Sequence, residues 1–447
     1  MSRIIEAVSV VLTHGDQIFA IQRQYFLKSF PGYWAFPGGK VEAQEASFAP
    51  HPLTSSLDPT LWAAVVRETQ EELAFNLEDA LRNNIVTAVY FLGLAVTPEF
   101  NPYRFATHFF KIELKEKPEF IVDRGEALIA DWTSCHELLQ RFDLGELLAV
   151  PPVIKVIKAL GLDIQTSHIG DLNIAYDAAV EVPMIESLKG VRQYLPLSHT
   201  VPPANRTNCF LIGDTGHEQI LLDPSPRDES ELKKLIHALR DQRVTKIMLT
   251  HHHPDHHEHA PQLARQWGVP IILSADSRQR LERIRPDYFS GIKLEEIQEG
   301  MELTQWLGHS VRVVAVPGHD EGQLALMPEN RAWFLAGDLF QGIGTVVIGA
   351  PEGDMAKYMG TLERVILLAP RVIFPSHGIG LGSTFILEKT LEHRKFREEQ
   401  VLALSQQGKS EDDILRVLYS DIQPELLKYA RKNIQAHLSK LINEKKI

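Results

Sequence analysis

The hydrophobic rhythm of the chain changes along its length, and the changes mark its parts. Residues 1–165 mix short apolar strands with helical stretches. IIEAVSVVL and IFAIQR read as two strands around a turn at Gly15 and Asp16, and RFATHFFKIEL reads as a third β-rich run. LLAVPPVIKVIKALG predicts a helix that starts at its prolines and stops before Gly161. Residues 166–189 lose the rhythm and read as a linker. From 190 to 385 apolar strands, among them CFLI and QILL, alternate with helical segments. Residues 386–447 are helical throughout. There Ser410 and Asp413 form a capping-box pattern ahead of Ile414, Leu415 and Leu418, and Ile434, Leu438, Leu441 and Ile442 mark one apolar face.

Composition changes this picture little. A chain of 447 residues is too long for one core and predicts two or three domains. A net charge of −12 argues against a whole-surface attraction to nucleic acid or anionic membrane, while leaving room for a local basic patch. Cys135 and Cys209 are the only cysteines, and thiols so far apart predict buried, reduced residues and a cytoplasmic protein. The opening MSRIIEAVSVVLTHGD runs straight into a strand pattern rather than a signal peptide, and no apolar run reaches membrane-spanning length.

The chemistry concentrates in THHHPDHHEHA, residues 250–260, where six of eleven positions are histidine. The stretch follows a buried apolar run, so its first ligands hang from a strand end. His251 and His253 point the same way in extended chain. Pro254 then turns the chain, and Asp255 and His256 follow at once. Imidazole and carboxylate together suit zinc, and also iron or manganese. Further ligands are expected where other apolar runs end, at His319 in VAVPGHDEG, Asp338 in WFLAGDLF and His377 in VIFPSHGIG.

In that order these motifs resemble the metallo-β-lactamase superfamily over roughly residues 190–385. The resemblance implies a four-layer αββα sandwich with a two-metal site holding two zinc, manganese or iron ions. Carried over, His251, His253 and His319 would hold the first ion, Asp255, His256 and His377 the second, and Asp338 would bridge them. Asp255 is expected to be catalytic as well as ligating. Asp223, in LLDPS, matches a family aspartate that orients ligands, and His252, His257 and His259 fall outside the pattern. Two ions so placed lower the pKa of a shared water and polarise the attacked oxygen, which suits thioesters, phosphodiesters or amides. The flanks, GDLFQGIGTVVIGAPEGD and the tail from 386 to 447, resemble the lactamase-beta-like-2 subfamily with its winged-helix-like C-terminal region. Its members include an endoribonuclease for single-stranded RNA. Ser376 stands where a glycine is usual, and Ile379 where a proline is common. Glyoxalase-II-type thioesterases share the ligands. The 39 positions from Asp338 to His377 are too few for the inserted domain of the β-CASP branch.

A second signature lies upstream. On a helix, Glu68, Glu71 and Glu72 share one face, and three adjacent carboxylates repel unless a cation sits among them. Oxygen ligands suit Mg²⁺ or Mn²⁺ and a pyrophosphate substrate. Asp58 and Pro59 are a good N-cap and first position for that helix. Gly39, Glu45, Arg67, Glu68, Glu71 and Glu72 resemble the Nudix box, which implies an αβα sandwich. The three glutamates would then be metal ligands and catalytic residues, supported by Gly39 and a Glu45–Arg67 ion pair. Between Glu45 and Arg67 lie 21 residues where the box has 7, and Ala74 replaces its last glycine. FLKSFPGYWAFPGGKV, RFATHFFKIEL and the interrupted box are similar to the coenzyme A diphosphatase branch. Glu126 sits where Nudix domains often place another acid.

The combined expectation is a bifunctional metal-dependent hydrolase of mixed α/β and α+β multidomain class. Its Nudix half would cleave a nucleoside diphosphate derivative such as coenzyme A or acyl-coenzyme A, and its other half a thioester or phosphodiester. The alternative makes the C-terminal half a single-strand endoribonuclease, with Lys428, Arg431, Lys432 and Lys440 contacting phosphates. The Nudix half would then be a nucleotide-binding or degenerate regulatory domain. No membrane partner is expected, and the sequence is compatible with a homo-oligomer formed through the C-terminal region.

Overall fold

The computed structural model describes residues 4–447 apart from positions 47, 50, 100, 102 and 103. The chain divides into two compact units, Met1–Tyr176 with Ile185–Lys189, and Asp177–Met184 with Gly190–Ile447.

In the first unit the strands Ile4–His14 and Gln17–Arg23 run antiparallel, with Thr13 opposite Ile18, around the expected turn. Ile4–His14 pairs parallel with Arg104–Leu114, which pairs antiparallel with Val86–Val96. Ala127–Ser134 lies antiparallel against Gln17–Arg23. Side chains alternate across this sheet. Val8, Val10, Leu12, Phe110 and Ile112 pack on one face against Trp62, Val65, Val66 and Leu73 of the helix Pro59–Leu73. Val11 and Phe109 pack on the other against the helices Cys135–Asp143 and Pro151–Leu162. The result is an αβα sandwich, in which each large buried side chain contributes about 1.5–3 kcal/mol.

Two local details bear on the sequence reading. Gly161 lies inside the helix Pro151–Leu162 rather than after it. A Cβ there would sit 3.3 Å from that of Cys135, so the glycine lets two helices approach closely. The helix Pro59–Leu73 starts where expected, with the Asp58 carboxylate accepting from the amides of Thr60 and Leu61 at 2.8 and 3.1 Å. It ends at Ala74 in the left-handed region, φ 51° and ψ 32°.

The second unit contains two stacked sheets. One orders its strands Val191–Tyr194, Cys209–Ile212, Ile220–Leu222, Lys246–Met248, Ile271–Leu273 and Leu294–Glu296, the last four parallel. The other runs Glu302–Trp306, His309–Ala315, Leu324–Pro328, Trp333–Leu335, Val372–Phe374 and Leu381–Gly382. Cys209, Leu211 and Leu221 face helices on the outside of the first sheet, with Leu232, Leu235, Leu263 and Leu281. Phe334 and Ile373 face the helices outside the second, with Met355, Tyr358, Leu362 and Leu387. The alternate residues point between the sheets, where the rings of Phe210 and Phe374 meet edge-on at 5.7 Å. This is the αββα arrangement. The short parallel strands are buried on both faces, which is why they read as unbroken apolar runs.

Beyond residue 384 the described chain is helical, as Phe385–Gln406, Glu411–Leu418 and Leu427–Asn443. Both halves of the Ser410–Asp413 capping box form. Ile434 and Leu441 are buried in a small core with Val401, Ile414 and Leu415. Ile442 is not on that face. One residue past Leu441 is a turn of about 100° round the helix, and its side chain is 59% exposed. Cys135 and Cys209 are buried free thiols. No helix among the described residues is long and apolar enough to cross a membrane.

Ala74 generates a prediction. A left-handed alanine is strained by about 1–2 kcal/mol, and glycine is the usual residue at such a helix end. Ala74→Gly should stabilise the first unit by about 0.5–1 kcal/mol after the extra chain entropy of glycine is subtracted. Its melting transition should rise by about 1–4 °C. A lower transition in calorimetry would contradict the strain argument.

Candidate metal centres

The loop after Lys246–Met248 is fixed by Asp223, at the end of the neighbouring strand. Asp223 accepts from the Thr250 amide at 2.8 Å, the Thr250 hydroxyl at 2.6 Å and His256 Nδ1 at 2.8 Å. It does so from a left-handed backbone, φ 47°, a conformation that aspartate tolerates better than most residues. The Thr250 proton is committed to Asp223, so His251 Nδ1, 3.0 Å from that hydroxyl, is the donor between them. His319 Nδ1 donates to the Val347 carbonyl and His377 Nδ1 to the Arg206 carbonyl, both at 2.9 Å. In His251, His256, His319 and His377 the Nδ1 proton is thus taken by an acceptor outside the cluster. Once it gives up any second proton, each ring would present its lone pair inward on Nε2.

These lone pairs converge. His253 Nδ1 lies 3.0 Å from both His251 Nε2 and His319 Nε2. Three imidazole nitrogens in mutual contact share at most one proton, so lone pairs face each other unless a cation lies among them. Asp255 Oδ2 lies 3.8 Å from His256 Nε2 and 3.6 Å from His377 Nε2. Asp338 stands between the two sets. Its Oδ1 is 3.6 Å from His256 Nε2 and 3.4 Å from His377 Nε2, and its Oδ2 is 3.6 Å from His319 Nε2. His256 Nε2 and Asp338 Oδ1 are buried and lack a hydrogen-bond partner. Such atoms are costly to bury bare. The mixed nitrogen and oxygen set fits a pair of divalent transition ions. All seven residues read as ligands from the sequence lie in this cluster, and His251, His253 and His319, His251, His256 and Asp338, and Asp255, His256 and His377 are each compact enough for one ion.

The electrostatics follow. Burial, then the neighbouring rings of His256 and His253, holds His251 well below the usual imidazole value. Burial and His319 push His253 down to about 3. Burial alone would lower His256 too, but Asp255, Asp338 and Asp223 outweigh it and raise it well above. Burial would lift Asp338, yet His377 and His256 hold it well below the usual carboxylate range.

The other histidines of the run are engaged elsewhere. His252 Nδ1 sits 2.6 Å from Asp320 Oδ2, both residues buried. That is an ion-pair contact rather than a formed hydrogen bond, and it is closer than two ligands of one ion sit, although His252, His253 and Asp320 together are also compact enough for one ion. His257 lies between the His252 carbonyl and the Tyr288 hydroxyl, each at 2.9 Å. His259 contacts the Pro226 carbonyl. Several supporting residues escaped the sequence reading. Thr250 and Asp320 each adjoin a predicted ligand. Asn208 donates to the carbonyls of Pro375 and Gly378 at 2.7 and 2.8 Å, fixing the segment that carries His377. The available signal was a polar residue directly before a buried strand. Ser376 does not adopt a positive φ, so a side chain is accommodated there.

The first unit brings Glu45 back to Arg67 across the insert, at 3.0 and 3.2 Å. Arg67 also binds Glu68 at 2.8 Å, Glu71 at 3.0 Å and the Lys40 carbonyl at 2.7 Å. A Cβ on Gly39 would meet Glu68 Oε1 at 2.4 Å, so any other residue there would displace the Glu68 carboxylate from its present position. The Gly38 amide donates to Glu72 at 3.0 Å. Glu68 and Glu72 are buried while the Glu71 side chain is 59% exposed. Among the described residues the three glutamates do not close to a single ligand-sized point, as the histidines do. Burial pushes Glu72 up to about 8, and Glu68 and Glu126 add to the rise. Burial also raises Glu68. Glu126 itself lies 3.8 Å from Arg23.

Comparison with known proteins agrees with this division. Residues 4–150 match the NUDIX domain, 202–377 the metallo-beta-lactamase superfamily, and 410–447 the beta-lactamase associated winged helix domain. The chain is 30% identical over 260 residues to a Drosophila melanogaster protein described as beta-lactamase-like protein 2 homolog, covering 54% of this chain and 84% of that one. A beta-lactamase domain protein from Burkholderia ambifaria aligns with TM-score 0.49 and 21% identity, over 60% of this chain and 90% of that chain. A NUDIX hydrolase from Alicyclobacillus acidocaldarius aligns with TM-score 0.30 and 25% identity, over 36% of this chain and 93% of that chain.

Two measurements check these centres. Asp223→Ala should weaken uptake of one divalent ion by about 10–100-fold in chelator competition, because His256 loses the partner that orients it. Unchanged affinity would contradict that role. In chelator, folded Glu72 keeps its proton up to about 8, whereas an unfolded chain releases it near 4.3. The folded state then binds more protons, so stability falls as pH rises through that window. Glu72→Gln should flatten this fall in thermal melts from about pH 5 to about pH 8. A variant with the parent's pH slope would refute it.

Proposed function

The chain belongs to the metallo-β-lactamase superfamily, alongside the β-lactamase-like protein 2 homologues, with a Nudix hydrolase domain ahead of that fold, and we propose that it hydrolyses two different bonds of one substrate class, acyl-coenzyme A. The observation that supports a dinuclear centre is Asp338, whose two oxygens face different sets of imidazoles. His251, His253 and His319 would hold one divalent ion, and Asp255, His256 and His377 the other. Ions so held supply Lewis acidity toward the attacked carbonyl or phosphoryl oxygen and lower the pKa of water. Zinc, manganese or iron fits these ligands. The Asp255 side chain is the most exposed of the three carboxylates, at 17% against 6% for that of Asp338 and 3% for that of Asp223, which supports a role in which it would take a proton from the attacking water. In the thioester reaction the water oxygen bonds to the acyl carbon, the carbon–sulfur bond breaks, and the thiol leaves with a proton.

The Nudix half would act on the diphosphate. Glu68, Glu71 and Glu72 would hold Mg²⁺ or Mn²⁺, with Arg67 and Glu45 bracing the helix. The Glu45–Arg67 pair, formed across the long insert, supports a working box rather than a degenerate one. Water would attack one phosphorus and the bridging P–O bond would break. This gives acyl-phosphopantetheine and 3′,5′-ADP. Acyl-coenzyme A carries both bonds, which gives the fusion a chemical motive.

The ribonuclease alternative has less support. Of the four tail cations read as phosphate contacts, Arg431 pairs with Glu411 and Asp412, and Lys440 with Glu398 and Glu444.

Incubating the purified protein with a long-chain acyl-coenzyme A plus Mg²⁺ and Zn²⁺ tests the proposal by mass spectrometry of the products. Free coenzyme A should form and should fall more than ~100-fold in His253→Ala, since even a ligand's outer partner is worth ~10–100-fold. Acyl-phosphopantetheine should form and should fall ~10²–10⁴-fold in Glu71→Gln. An untouched substrate would refute the proposal and bring single-stranded RNA forward as the next substrate to try.

A further inference from the structure

His319 is held from behind by a segment that carries no ligand of its own. Its Nδ1–H donates to the carbonyl of Val347 at 2.9 Å. Val347 lies in irregular chain between the short turn Gly337–Leu339 and the helix Met355–Leu368. No strand pairs with it, so the position of this carbonyl must be set by other contacts.

Those contacts come from the C-terminal helices, one on each side of Val347. Arg394, on the helix Phe385–Gln406, donates from Nη2 to the Val346 carbonyl at 2.6 Å. Asn433, on the helix Leu427–Asn443, accepts from the Ile348 amide at 2.8 Å. Both side chains are buried, Arg394 at 2% exposure and Asn433 at 6%. The Arg394 guanidinium also lies 5.5 Å over the Tyr358 ring, a costly group to bury unless it is used. Val346 and Ile348 are buried in the same core as Leu387 and Ala436 of those helices. At the next position a Cβ on Gly349 would meet the Lys432 stem at 2.9 Å, so the segment lies flat against the last helix.

We infer that Arg394 and Asn433 are positioning residues for the metal site, and that the C-terminal helices aim His319 Nε2 by clamping the backbone on both sides of the carbonyl its ring donates to. The inference rests on the reading that His319 holds an ion with His251 and His253. The physical reason is geometric. Metal–nitrogen distances tolerate about 0.2 Å, and the ring turns with the carbonyl that anchors its other nitrogen. Tail and ligand are therefore coupled through two adjacent peptide groups, with Asn433 on the same group as the Val347 carbonyl and Arg394 on the one before it.

The test uses the full chain and Co²⁺ as the probe, with affinities from chelator competition and the ligand-field absorption spectrum recorded alongside a thermal melt. In Asn433→Leu one of two Co²⁺ ions should bind ~10–100-fold more weakly, with an altered spectrum. Asn433→Asp keeps the acceptor and should restore the affinity to within ~3-fold of the parent, well inside that loss. Ser439→Ala, on the exposed side of the same helix, should change nothing. If Asn433→Leu does not fold, Arg394→Lys takes its place with the same readout, because the shorter donor no longer reaches Val346 in the same geometry. A folded variant with both affinities and the spectrum of the parent overturns this inference alone. A parent chain that takes up no Co²⁺ overturns the metal-site reading together with it.

Discussion

A buried carboxylate has to be answered by opposite charge or by a cation, and in the second unit that carboxylate is Asp338. It sits at 4% exposure between two sets of imidazoles, one oxygen toward each. Much of the surrounding architecture serves to bring those rings to it. Lys246–Met248, Trp333–Leu335 and Val372–Phe374 all end within a few residues of a ligand, so rigid backbone sets where each side chain starts. Asp223, Arg206 and Val347 then take the Nδ1 protons of His256, His377 and His319 and turn each ring inward. The sheets supply position, and the outer hydrogen bonds supply orientation.

The first unit solves the same problem more loosely. Its carboxylates share one helix face, and Arg67 compensates them by reaching Glu45, Glu68 and Glu71 at once. Twenty-one residues, the last eight of them in the helix Pro59–Leu73, separate Glu45 from Arg67 in sequence without preventing their contact. Loop closure grows only slowly in cost with length, so an insert there is tolerated if its ends are fixed. The ends are fixed, by Gly39 pressed against Glu68 and by the Asp58 cap.

What could be read from the sequence was whatever local spacing determines. The H-x-H-x-D-H run and the three candidate ligands His319, Asp338 and His377 are legible because each follows an apolar strand, and strands place their end residues predictably. The capping box at Ser410 and the helix start at Asp58 were visible for the same reason, since the partners lie within three residues. Contacts between distant segments were not visible. Nothing near Asn433 or Arg394 announces that they grip a loop 85 and 48 positions away. Asp320 follows a predicted ligand directly, yet its pairing with His252 depends on how two loops meet. Gly161 and Ile442 were misplaced because helix ends and face edges shift by a residue without changing the pattern.

The account turns on a two-ion site between His253 and His377 and a separate oxygen-ligand site on the helix Pro59–Leu73. Anomalous diffraction from crystals soaked in Mn²⁺ locates the ions without reference to any substrate. Two peaks within about 4 Å of each other are expected flanking Asp338, with a further peak among Glu68, Glu71 and Glu72. A single peak beside His252 and Asp320, or none at Asp338, would contradict it.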